Sequence, residues 1–92
     1  MKITKIRMNT SKETSNHCID IKDLYIPDCN NPGWYSKASV YDAIKKDITI
    51  VVDIKPYPEC EAVLSESGEK YVRSEPDDKE SDNLLKLPRE QR

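Results

Sequence analysis

A small α+β fold follows from three features of the sequence: short runs in which apolar and polar residues alternate, one helical apolar stripe, and a closing cluster of leucines. The alternation is clearest at Ile48, Ile50, Val52 and Ile54. The stripe is Val40, Ala43 and Ile44, spaced as one face of a helix. The leucines are Leu84, Leu85 and Leu87. Together they predict a mostly antiparallel sheet of about five strands with one docked helix, in the order β-β-α-β-β-β, and a C-terminal leucine turn. The domain is expected to span residues 1–88, with 89–92 as a frayed tail.

Lys2 to Met8 reads as the first strand, because it is β-branched and places Ile6 and Met8 on one face. Asn9 to Asn16 is polar and turn-prone, hence a connection. His17 to Ile26 reads as the second strand. Ile19, Ile21 and Tyr25 lie on the face expected to be buried, with Cys18, Leu24 and Ile26 on the other. Pro27 to Gly33 is dense in turn residues and makes a surface loop. Trp34 and Tyr35 continue that loop, either folded back as a core plug or standing out as an anchor for a partner.

Ser36 is the expected N-cap of a helix running to Lys46, whose last-turn lysines suit the negative end of the helix dipole. So short a helix must dock on the sheet to be stable. Ile48 to Ile54 is expected as a central strand, since Val51 makes its second face apolar too. Pro56 and Pro58 end it. Glu61 to Ser65 and Glu69 to Ser74 read as a hairpin, with Gly68 supplying a positive φ in the turn. Glu75 to Asp82 reads as an acidic turn, and Ser81 or Asp82 caps the leucine turn.

At 92 residues the chain fits one domain, and it buries roughly 60 to 65% of its unfolded surface. Hydrophobic residues are 36% and charged residues 35%, so the core must be small, and with no Phe it must be largely aliphatic. The net charge of −2 comes from 15 basic and 17 acidic side chains that are interspersed along the chain. That pattern argues against duplex nucleic acid, which selects a concentrated basic face. No apolar run is long enough to span a bilayer, and the alternating, charged start has no signal-peptide core. The expectation is a soluble, cytoplasmic protein without a membrane partner. Three cysteines, Cys18, Cys29 and Cys60, are then expected as free thiols.

The C-terminal third carries the most specific motif. Gly68-Glu69-Lys70-Tyr71-Val72-Arg73-Ser74, then Asp77, then Asp82-Asn83-Leu84-Leu85-Lys86-Leu87-Pro88 resembles a small bacterial family, domain of unknown function 3892. That family's pattern is G-x-K-Y-L-R-T, D-G, then D-N-L-L-x-L-P, and Ile3-Thr4-Lys5-Ile6-Arg7 resembles its start. Asp78 stands here in place of the pattern's second turn glycine, and Cys18 in place of a family histidine. The resemblance implies a fold of a few strands and a helix, and it implies no activity.

Each candidate site has a competing plain reading. His17, Cys18, Cys29 and Cys60 have zinc-compatible chemistry but lack a Cys-x-x-Cys knuckle, so no metal is assigned. The single histidine cannot serve a neighbouring cysteine on a strand, because adjacent side chains point apart. Asp77, Asp78, Glu80 and Asp82 do not have the spacing of a calcium loop. No phosphate loop or nucleophile elbow occurs. No catalytic residue and no cofactor is therefore expected. What remains is a partner or ligand surface, with candidates Trp34, Tyr35, Lys70, Tyr71 and Arg73. The sequence points to a non-enzymatic protein-binding module, an accessory or inhibitory factor of bacterial or phage origin. The alternative is a nucleotide-like ligand stacked on Tyr71 and Arg73.

Overall fold

The computed structural model of the chain describes residues 1–74 and 82–90. Among these described residues are seven strands and one α-helix: β1 Lys2–Ile3, β2 Lys5–Met8, β3 Ile21–Ile26, β4 Gly33–Ser36, α1 Lys37–Lys45, β5 Val51–Val52, β6 Glu61–Leu64 and β7 Lys70–Arg73. Two 3-10 turns, Cys18–Asp20 and Asn83–Lys86, complete them. The class is α+β, as the sequence predicts, with about seven strands where five were expected.

Both extra strands have local causes. The expected strand from Lys2 to Met8 breaks at Thr4, so that β1 pairs with β5 and β2 with β3. Trp34 and Tyr35, expected in a loop, lie on β4, which pairs antiparallel with β3 across the Pro27 to Pro32 turn. Aromatic residues favour such a half-buried pleated surface. The three strands run in the order β2-β3-β4.

The burial parity of β3 also differs from the expectation. His17 to Asp20 is not a strand: Asp20 N–H donates to the His17 carbonyl, and Ser15 Oγ donates to Asp20 Oδ2 at 2.6 Å. These short-range bonds hold the segment in a 3-10 turn. Within the sheet, Arg7 opposes Asp23 but Met8 opposes Ile21, which leaves Lys22 as an extra residue. Such a bulge reverses which side chains face inward. Ile21, Leu24 and Ile26 are buried with Cys18, whereas Tyr25 moves to the outer face.

The strand expected from Ile48 to Ile54 is confined to Val51 and Val52. Its neighbours still flank it. Val51 N–H donates to the Met1 carbonyl and Asp53 N–H to Ile3, while Val52 N–H donates to Pro58 and Cys60 N–H to Ile50. Ile50 and Val52 are buried, but Ile48 is 39% exposed.

Helix α1 begins as expected, with Ser36 Oγ accepting from Ser39 N–H at 3.1 Å. It packs on the β6–β7 hairpin, burying Val40 and half-burying Ala43 and Ile44. Gly68 in the hairpin turn has φ 87°, the left-handed value that favours glycine. Asp82 caps the leucine turn by accepting from Leu84 N–H. Leu84, Leu85 and Leu87 then enter the same core as Ile3, Ile6 and Val52. The tail expected to fray is fastened at its first two residues. Glu90 N–H donates to the Ile6 carbonyl, and the Arg89 guanidinium donates to the carbonyls of Glu13, Ser15 and Leu85. Of the acidic turn expected from Glu75 to Asp82, all but Asp82 lies outside the described residues, including Asp77, Asp78, Glu80 and the alternative cap Ser81, as does 91–92. No helix among the described residues is long and apolar enough to cross a membrane.

Candidate functional site

Antiparallel register places side chains in rows across a sheet. On the outer face of β2–β3–β4, Lys5 opposes Tyr25, which opposes Trp34; the next row is Arg7, Asp23 and Ser36. The row between them, Ile6, Leu24 and Tyr35, faces the other way. Short side chains at Asp23 and Ser36 leave space for the long Arg7 to lie against the aromatics.

The resulting cluster has defined geometry. Tyr25 and Trp34 meet edge to face, with ring centroids 5.2 Å apart at 67°. The Arg7 guanidinium lies over the Trp34 ring at 4.0 Å, and the Lys5 ammonium over Tyr25 at 4.4 Å. Each cation has a carboxylate: Arg7 Nη1 is 3.4 Å from Asp23, and Lys5 Nζ is 3.0 Å from Glu90. Arg7 is 7% exposed, and its Nε has no hydrogen-bond partner among the described residues. Stacking a guanidinium on an indole gains cation–π energy of about 1 to 2 kcal/mol when the pair is desolvated. The cluster is thus charge-balanced and half-open to solvent.

Tyr35 lies on the opposite side of β4 from Trp34. Its hydroxyl donates to the Asn31 carbonyl and sits 3.6 Å from Cys29 Sγ. The hydrogen bond with Cys29, and then burial, raise the Tyr35 hydroxyl above its ordinary pKa. Both groups edge a hollow of about 360 Å³ whose wall includes Ile26, Val40, Ala43 and Ile48.

The remaining candidates occupy the β6–β7 hairpin, a separate two-stranded sheet. Tyr71 is 8% exposed and belongs to the core. Arg73 Nε is 3.3 Å from Glu61, and Lys70 Nζ is 2.9 Å from Asp42, whose hydrogen bond raises the lysine's pKa. The structure thus gathers Trp34 with Lys5, Arg7 and Tyr25, and brings neither Tyr35 nor the β7 residues to that cluster. Tyr25 escapes sequence reasoning because the bulge reverses its face, and Lys5 and Arg7 join it only through the register of β2 with β3, which periodicity along one strand does not give.

Among the thiols, Cys18 and Cys60 are buried, and Cys29 is half-buried in its loop. His17 is exposed at the start of its turn. Among the described residues, no group of three or more His, Cys, Asp or Glu side chains is arranged to hold a metal ion.

The model of a family described as protein of unknown function (DUF3892) matches residues 2–88, nearly the whole chain. This is the family that the C-terminal motif resembles. No curated protein and no solved structure matches the sequence.

Proposed function

The chain belongs to the DUF3892 family of proteins of unknown function, and we propose that it acts as a non-enzymatic protein-binding module. The observation that carries this reading is the Tyr25–Trp34 pair, held under two cations on a half-open sheet face. Trp, Tyr and Arg are the residues that most often dominate binding energy at interfaces, and rigid ones lose little entropy on binding. The face ends at β4, the outer strand of its sheet. An outer strand can accept an extended segment from a partner. The other outer strand, β2, is already bonded to Pro88 and Glu90.

The same reading makes the protein a cytoplasmic accessory or inhibitory factor of a bacterium or phage. Interspersed charge supports a protein partner over duplex nucleic acid. The alternative, a nucleotide-like ligand on Tyr71 and Arg73, loses its support, because Tyr71 is in the core and Arg73 is paired with Glu61.

Affinity capture from a bacterial host tests the proposal. The wild-type chain and Lys70→Ala should retain the same partner, and Trp34→Ala should lose it by at least about tenfold, the scale of a residue at an interface centre. Capture unaffected by Trp34→Ala, with the variant's circular dichroism unchanged, would refute the reading.

A further inference from the structure

Two hollows adjoin at Ile48 and Ile50, on the side of the chain where α1 ends. The first, of about 360 Å³, has Ile26, Val40, Ala43, Ile48 and Ile50 in its wall. A volume of this size suits a small ligand, and apolar walls with few polar groups are what such sites share. The second, of about 480 Å³, is edged by Asp47, Glu59 and Glu61. Among the described residues no Lys, Arg or His side chain lines either hollow, and Met1 lines only the first.

Charge gives the pair of hollows a polarity. Arg73 offsets Glu61 at 3.3 Å, but Asp47 and Glu59 have no ion-pair partner among the described residues. Asp47 follows the last turn of α1 with φ 66°, where Asp47 N–H donates to Ile44 and Ile48 N–H to Ala43. The carbonyl end of a helix carries partial negative charge and favours a cation. Lys45 and Lys46 also sit at that end; Lys45 reaches toward the Tyr41 ring at 5.9 Å, and Lys46 is exposed. Ile48, 39% exposed, stands between the apolar and acidic halves and offers uncovered apolar surface to both.

We propose that these adjoining hollows bind a small organic amine, with its apolar body against Val40, Ala43 and Ile48 and its ammonium group over Asp47 and Glu59. The body gains by burial, and the ammonium gains from carboxylates in a concave setting, where the field is less screened than on a flat surface. The site uses none of the residues of the aromatic cluster, so it stands or falls independently of the protein-binding reading.

Three probes with the same phenyl ring and two-carbon spacer separate charge from shape: phenethylamine, phenethyl alcohol and hydrocinnamate. Each is titrated into the isotope-labelled full chain while the amide NMR signals are followed. Phenethylamine should move the amides of Ala43, Ile48, Ile50 and Glu59. The alcohol should bind about threefold to tenfold more weakly, and hydrocinnamate more weakly still, with the differences shrinking at high salt. The double variant Asp47→Asn, Glu59→Gln should make amine and alcohol equal. Ala43→Met should weaken all three by filling the first hollow. If that variant alters the fold, Ile48→Ser at an exposed position makes the same test. Equal binding of the three probes to the wild-type chain, shifts confined to other residues, or no shifts at millimolar probe would overturn the proposal.

Discussion

Asp82 gathers several local hydrogen bonds on one side chain. It is fully buried, and its carboxylate accepts from Leu84 N–H at 2.9 Å, Ser74 N–H at 3.0 Å and Ser74 Oγ at 2.7 Å. It joins the end of β7 to the leucine turn. Asp82→Ala leaves these donors unsatisfied in the interior and should cost about 2 to 4 kcal/mol in urea unfolding. Asp82→Asn, which keeps an acceptor, should cost less. Nearby, burial and then the charge of Asp82 push the Cys60 thiol from 9.0 up to about 12. Between those values the unfolded chain has released a proton that the folded chain still holds. Stability should therefore be unaffected by this group below about pH 9 and fall as pH rises toward 12. Lys70, held protonated by Asp42, acts in the same direction at high pH. Comparing alkaline stability curves of the wild-type chain and Cys60→Ala isolates the thiol, and the variant should show the shallower decline. Thiol titration should likewise label one cysteine quickly in the folded chain, half-buried Cys29, and all three after unfolding.

Elements that depend on neighbouring residues alone were legible in the sequence, and those that depend on pairing were not. Ser36 followed by an apolar stripe specifies α1, because the cap and the stripe act within two turns of chain. Removing the cap as Ser36→Ala should lower thermal stability by about 1 kcal/mol, read as a shift of roughly 4 to 8 °C in Tm. The β6–β7 hairpin is as local: its turn turns on Gly68, and Gly68→Ala should destabilise through φ 87° alone, since the added methyl meets nothing within 4 Å. By contrast, β3 misleads a reader of periodicity. Its two-residue alternation is interrupted by the extra residue opposite Arg7 and Met8, so Ile21 and Leu24 point inward together. β4 is four residues between a turn and a helix, too short for alternation to mark it.

At the scale of the whole molecule, the chain closes on itself from its two ends. β1 and β2 hold Ile3, Ile6 and Met8 in the core, and the C-terminal turn covers that core with Leu84, Leu85 and Leu87. Pro88 and Glu90 then pair with Ile6. Each buried leucine contributes about 2 to 3 kcal/mol, and the net stability of a domain this size is on the order of 5 kcal/mol. A chain ending after Ser74 should therefore fail to fold, giving a collapsed amide NMR spectrum and no cooperative melt. Restoring residues 75–90 should restore both.

By itself the sequence determined the class, the helix with its cap, the β6–β7 hairpin, the capped leucine turn and the family, because each rests on residues close together in the chain. Tertiary structure alone decided the face that Tyr25 occupies, the shortening of the Ile48 strand and the meeting of Trp34 with Arg7 and Lys5. Those outcomes depend on strand register between segments far apart in the chain, and a single bulge moves every side chain beyond it to the other side of the sheet.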